Sequence, residues 1–234
     1  MRFEPSPASR LDIRQIGMEE SSLVLIDNVL QDPSSLVRYA VSEAKFDAVD
    51  SNLYPGIRAP MPLDYVEGIT RALDPVIRQT YWIEGAKLAR TECFFSIVTT
   101  QSKDLHPLQK IPHIDTADPL HFAVVHYLFD TQLGGTAFYR QDRTRFESVS
   151  PDRWSRWVEE RDAMLAQIPE NSGYMSLSTP GYSQIAHVEA RFDRLILYPS
   201  NLLHSGVIPP DIILSDEPSV GRLTANLFIA YRRV

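Results

Sequence analysis

The chain has 234 residues, 44% hydrophobic and 23% charged, with a formal net charge of −7. That mix is expected of a soluble globular protein and not of a disordered one, and the length fits one domain of generous size. The acidic balance argues against non-specific nucleic-acid binding, because phosphates select basic surfaces, but it permits a local basic pocket for an anionic cofactor.

The N-terminal MRFEPSPASR carries two prolines and no apolar stretch of the kind a secretory signal needs. No run reaches the roughly 18 apolar residues that cross a bilayer, so no membrane partner is expected. Cys93 is the only cysteine, which excludes an intrachain disulfide and leaves the reducing cytoplasm as the expected location. Its neighbours Glu92, Phe94 and Phe95 place it on a buried strand as a packed thiol.

The first ten residues read as frayed. Leu23 to Ile26 reads as a short buried strand ended by an Asp27-Asn28 turn. Asp32-Pro33 opens a helix, with Leu36, Val37, Ala40 and Val41 on its apolar face. A polar, proline-rich loop follows over Asp50–Pro62. Asp64 to Tyr81 reads as a second amphipathic helix with Val66, Ile69, Leu73, Val76 and Ile77 inward. Glu92 to Thr100 is aromatic and β-branched, hence a strand.

Short strands then follow around Lys110–Asp115, Phe122–Phe129, Thr136–Arg140, Tyr182–Glu189, Arg194–Pro199, Gly206–Ile208 and Arg222–Tyr231. One helix interrupts them, over Pro151–Ile168. Ser150 can cap it, and Trp154 and Trp157 form part of a packing face. Helices first and many short strands afterwards predict a mainly β (α+β) protein, an antiparallel sandwich or barrel with flanking helices.

The informative segment is His113-Ile114-Asp115. On a strand, residues i and i+2 share a face, so an imidazole and a carboxylate would project together. A third ligand from elsewhere completes the two-histidine, one-carboxylate arrangement of non-haem iron(II) oxygenases. His204, after the apolar run Leu195 to Tyr198, is the candidate; a turn closing that strand would put it at the rim of the sandwich. Further on, Arg222 and Thr224 share a strand face and can hold the distal carboxylate of a diacid.

In order, His113-Ile114-Asp115, a strand over Phe122–Phe129, Gly134-Gly135-Thr136-Ala137-Phe138, His204 and Arg222-Leu223-Thr224 resemble the motif of the 2-oxoglutarate- and iron(II)-dependent dioxygenases, in particular their prolyl-hydroxylase-like branch. Residues 20–60 are also similar to a small bacterial subgroup with a Tyr-Pro-Gly-x-Arg loop, here Tyr54 to Arg58. The resemblance implies a double-stranded β-helix (jelly-roll) core over 91–234, with a helical insertion near 150–168 and residues 1–90 as a helical support in the same single domain. It implies Fe(II) on His113, Asp115 and His204, 2-oxoglutarate as co-substrate on Arg222 and Thr224, and O2 with a small-molecule or peptidyl substrate. The strand Phe94 to Ile97 departs from the family in lacking a co-substrate tyrosine, and the insertion over 139–181 is long.

Five further residues join the list as positions near the substrate or behind the ligands: Tyr54 of that loop, with Arg58, Arg140, His126 and His187. His126 alternates with Val124 and Leu128 and reads as a hydrogen-bonded core histidine. His187 is a possible support for the distal ligand. Arg58 and Arg140 are candidates for selecting an anionic substrate. Two other readings stay open: a metal dioxygenase that does not use 2-oxoglutarate, and a non-catalytic jelly-roll ligand-binding protein.

Overall fold

The computed structural model describes residues 4–48, 53–170, 172–175 and 179–233. Part of the expected Asp50–Pro62 loop and of the 139–181 insertion, and the first three residues, lie outside these. No described helix is long and apolar enough to cross a membrane.

The described elements are mainly β. In chain order they are β1 (Arg10–Ile16), β2 (Ser21–Asp27), α1 (Ser34–Ser42), β3 (Asp47–Ala48), β4 (Gly56–Pro60), α2 (Leu63–Tyr81), β5 (Ala86–Val98), β6 (His121–Tyr127), β7 (Gly135–Gln141), α3 (Trp154–Leu165), β8 (Tyr182–Glu189), β9 (Arg194–Pro199), β10 (His204–Val207) and β11 (Leu223–Arg233). An eight-stranded sheet runs in the order β1-β2-β9-β6-β11-β5-β4-β3, and a three-stranded sheet in the order β10-β7-β8. The strand pairs of both sheets are antiparallel, with β11 between β5 and β6.

Each central strand of the large sheet alternates between two environments, as a pleat requires. On one face Phe95, Ile97, Leu223, Ala225, Leu227 and Ile229 pack under α1 and α2, against Leu36, Tyr65, Ile69, Leu73 and Ile77. Helix α2 keeps this contact because Tyr65, Ile69, Leu73 and Ile77 recur every fourth residue along it. The other face turns towards the small sheet, with Tyr127 and Tyr198 packed against Phe138 and Val188. Cys93 is a free thiol packed against the helical side of the core.

Three expectations are corrected. Residues 10–16 form edge strand β1, and 56–60 form β4 inside the stretch read as irregular loop. The N-terminal ninety residues therefore supply strands to the large sheet as well as two helices. Segment 110–115 is not a strand: a 3-10 turn occupies Pro107–Lys110, and only His113 forms a bridge, opposite His204. Pro112 has no N–H to give a ladder. Helix α3 is shorter than the 151–168 span, and Trp157 is its one buried residue.

Candidate metal centre and its pocket

His113 and His204 are drawn together by their backbones. The His113 N–H donates to the His204 carbonyl at 3.0 Å, and the His204 N–H returns a bond to the His113 carbonyl at 2.9 Å. Such a doubly bonded antiparallel pair puts both side chains on one side, and the imidazole centroids are 4.4 Å apart. The Asp115 N–H donates to the Ser200 carbonyl at 2.8 Å, which brings its carboxylate 4.0 Å from His113 Nε2 and 3.8 Å from His204 Nε2. One ligand atom from each of the three lies within 4.8 Å of the others. His204 opens strand β10 instead of sitting in the turn before it.

The protonation of His204 follows from geometry. Its Nδ1 lies 2.8 Å from the Leu202 carbonyl, and a carbonyl only accepts, so Nδ1 carries the hydrogen. In the neutral ring Nε2 then presents a lone pair towards Asp115, the state a metal ligand needs. Burial pushes His204 down to about 4, against the raising effect of the Leu202 bond. His113 is likewise held at about 4, by burial and then by His204, while Asp115 opposes. The His113 side chain keeps 52% of its surface open, but that surface faces the pocket between protein walls. Burial raises Asp115, countered by His113, His121 and Arg58.

All three ligands line a cavity of about 710 Å³. Its sheet wall is the alternating series Arg222, Thr224, Asn226 and Phe228 at the start of and along β11. Arg222 is buried, and its Nη2 and Nε donate to the carbonyls of Gly135 at 2.6 Å and Leu133 at 3.2 Å. Its guanidinium stands 5.0 Å from the centroid of Phe129. No described carboxylate forms an ion pair with it. Burial lowers its pKa, and the phenols of Tyr54, Tyr127 and Tyr174 act on it in the opposite direction. Thr224 Oγ1 donates to the Ser96 carbonyl at 3.3 Å.

The donor set suits iron(II): two imidazole nitrogens and one carboxylate gathered on one side leave positions open for a bidentate co-substrate. A buried guanidinium that no described carboxylate pairs with, facing the same cavity, suits a free carboxylate. Tyr54 lines the cavity, and Arg222, Ser96 and Thr224 surround its phenol, which burial raises to about 12.

Arg58 also lines the cavity. The other sequence candidates do not. His126 is fully buried, with Nδ1 3.0 Å from the Tyr65 hydroxyl and Nε2 3.0 Å from Asp193, so it is the core histidine its alternation predicts. His187 is exposed and lines a separate surface pocket with Arg14 and Arg194. Arg140 faces buried Glu147 at 3.4 Å. The structure places these three positions outside the cavity. Sequence reading missed Asn226 and Phe228, although the period-two series from Arg222 passes through both. It also took Trp154 and Trp157 as packing alone; Trp157 packs, yet both line the cavity, as does Arg161.

A family model, "Family of unknown function (DUF6445)", matches residues 7–229. The chain belongs to that family. No curated protein matches it. Among solved structures, HygX from Streptomyces hygroscopicus with nickel, 2-oxoglutarate and hygromycin B bound is similar at a TM-score of 0.50 and 12% identity, covering 91% of this chain and 84% of HygX. That likeness shows the fold. The non-heme alpha ketoglutarate dependent epimerase SnoN from nogalamycin biosynthesis is similar at a TM-score of 0.49 and 12% identity, over 91% of this chain and 79% of SnoN.

Proposed function

We propose that the protein is an Fe(II)- and 2-oxoglutarate-dependent oxygenase that hydroxylates a C–H bond, with its two sheets forming a double-stranded β-helix in a single domain and residues 1–90 as the support of that core. The observation that carries the reading is the joint placement of His113, Asp115 and His204 in one cavity with Arg222, a buried cation that no described acid neutralises. HygX, of the same fold, binds nickel and 2-oxoglutarate.

When bound, iron and 2-oxoglutarate supply oxidative decarboxylation to succinate and CO2, coupled to oxygen insertion into the substrate. The chain's own residues position these groups. His113, Asp115 and His204 hold the metal from one side. Arg222 takes the far carboxylate of 2-oxoglutarate while its other N–H groups stay pinned to Leu133 and Gly135, so the guanidinium is oriented before the ligand arrives. Thr224 and Tyr54 offer hydroxyls beside that carboxylate, and the walls exclude bulk water.

Melting experiments test this. A ligand at a hundred times its Kd adds about 2.7 kcal/mol, which raises the Tm of a domain of this size by roughly 5–10 °C. Fe(II) or Ni(II) followed by 2-oxoglutarate should give two successive rises. Arg222→Gln should keep the first and lose the second, and His113→Ala should lose both. Metal stabilisation with no response to 2-oxoglutarate in wild type would instead favour the metal dioxygenase that does not use it, and no metal response would favour a non-catalytic binding protein.

A further inference from the structure

Three arginines line the cavity, and their partners differ. Arg222 is held by two carbonyls at the co-substrate end. Arg161 pairs with Asp162 at 2.8 Å and lies over the Trp157 ring at 5.1 Å. Arg58 forms no ion pair with a described carboxylate, and its Nε is sealed from solvent without a hydrogen-bond partner. Its guanidinium lies 4.4 Å from the Tyr54 centroid and 5.6 Å from that of Phe94. Ring faces attract a cation but cancel no charge. The acids acting on Arg58 are Asp115, which the metal needs, and Glu92, which already pairs with Arg90.

The sheet register sets this cation one pleat along from Arg222. Arg58 pairs with Ser96, and Ser96 with Thr224; Phe94 pairs with Asn226, further from Arg222. The two residues from Arg222 to Thr224, the level of Arg58, cover roughly 7 Å at about 3.3 Å per residue. A five-carbon diacid with one carboxylate on Arg222 and its keto-acid end on the metal has no anionic group left for Arg58. One pleat further on, opposite Phe94, Asn226 Oδ1 is buried without a partner and lines the cavity. Phe228 and Trp154 add apolar wall to the cavity.

We propose that Arg58 binds a carboxylate or phosphate on the substrate, a small anion with an apolar body, and that Asn226 Oδ1 accepts a hydrogen bond from a donor on the same molecule. This rests on the oxygenase reading for which molecule occupies each end of the cavity. The two cations then divide the labour: Arg222 selects the co-substrate and Arg58 the substrate.

Calorimetric titration of protein loaded with Ni(II) and saturating 2-oxoglutarate tests it, with phenylacetate, phenyl phosphate and neutral 2-phenylacetamide as probes. At least one anion should bind saturably and at least tenfold more tightly than the amide, and comparing the two anions separates carboxylate from phosphate. Arg58→Gln should remove that preference while 2-oxoglutarate still binds; Arg58→Lys should keep part of it. An amide that binds as well as both anions, anion affinity unchanged in Arg58→Gln, or no saturable anion binding would each overturn the proposal. The anion–amide comparison uses wild-type protein and so survives a variant that misfolds. Binding of 2-oxoglutarate is measured first on the same samples: its loss in wild type sinks the oxygenase reading, while the anion titrations still judge Arg58.

Discussion

His126 and His204 are both buried, and what separates them is the partner of the second ring nitrogen. His204 spends Nδ1 on the Leu202 carbonyl and turns Nε2 to the cavity. His126 has Tyr65 at one nitrogen and Asp193 at the other, leaving no lone pair for a metal. Asp193 also accepts from the Leu30 N–H, so the imidazole joins α2, β6 and the loop before β9. Replacing His126 by Ala would strand a buried phenol and a buried carboxylate and open a void. We expect a loss of about 3 kcal/mol in chemical denaturation with metal affinity unchanged; a weaker metal site in a stable variant would contradict this assignment. The alternation of Val124, His126 and Leu128 made the buried position legible from sequence. Its partners were not, because Tyr65 and Asp193 lie far away in the chain and no local pattern pairs them.

At the scale of elements, β6, β8, β9 and β11 lie close to where their apolar and β-branched residues put them. Strand β1 was not, since six of its seven residues are exposed and an edge strand has no buried face to mark it. The metal segment misled in a different way. Pro112 breaks the ladder, and His113 reaches His204 through a single bridge, so the ligand pair was legible but the element carrying it was not. The Gly134-Gly135 pair is part of the same construction. Gly134 has φ +96°, and a Cβ there would lie 1.8 Å from the Val207 carbonyl oxygen. An alanine must move the strand start that places the Leu133 and Gly135 carbonyls against Arg222. Gly134→Ala should therefore weaken 2-oxoglutarate binding by tenfold or more while metal binding changes little. Equal losses of both in parallel titrations would mean that the damage is general.

Across the whole molecule, the site ties the two sheets together: Arg222, at the start of β11, is bonded to carbonyls beside and within β7, and His204 of β10 pairs with Phe138 of β7. The pocket is thus a feature of folding as well as chemistry, and pH shows it. In the metal-free protein His113 and His204 titrate at about 4, against 6.5 for the free side chain. Between those values the unfolded chain binds more protons than the folded one, so stability must rise with pH through that window and be complete above it. Asp115 runs the other way: its raised pKa lets the folded state keep a proton just above 3.8, and one carboxyl offsets part of what two imidazoles contribute. The net slope stays positive towards pH 6.5. Metal-free wild type should gain Tm between pH 5 and 7, and the His113→Ala, His204→Ala double variant should gain clearly less over the same range. Identical slopes would show that the two imidazoles titrate alike in the folded and unfolded chain, and a ligand set neutralised in advance by its surroundings would have to be abandoned.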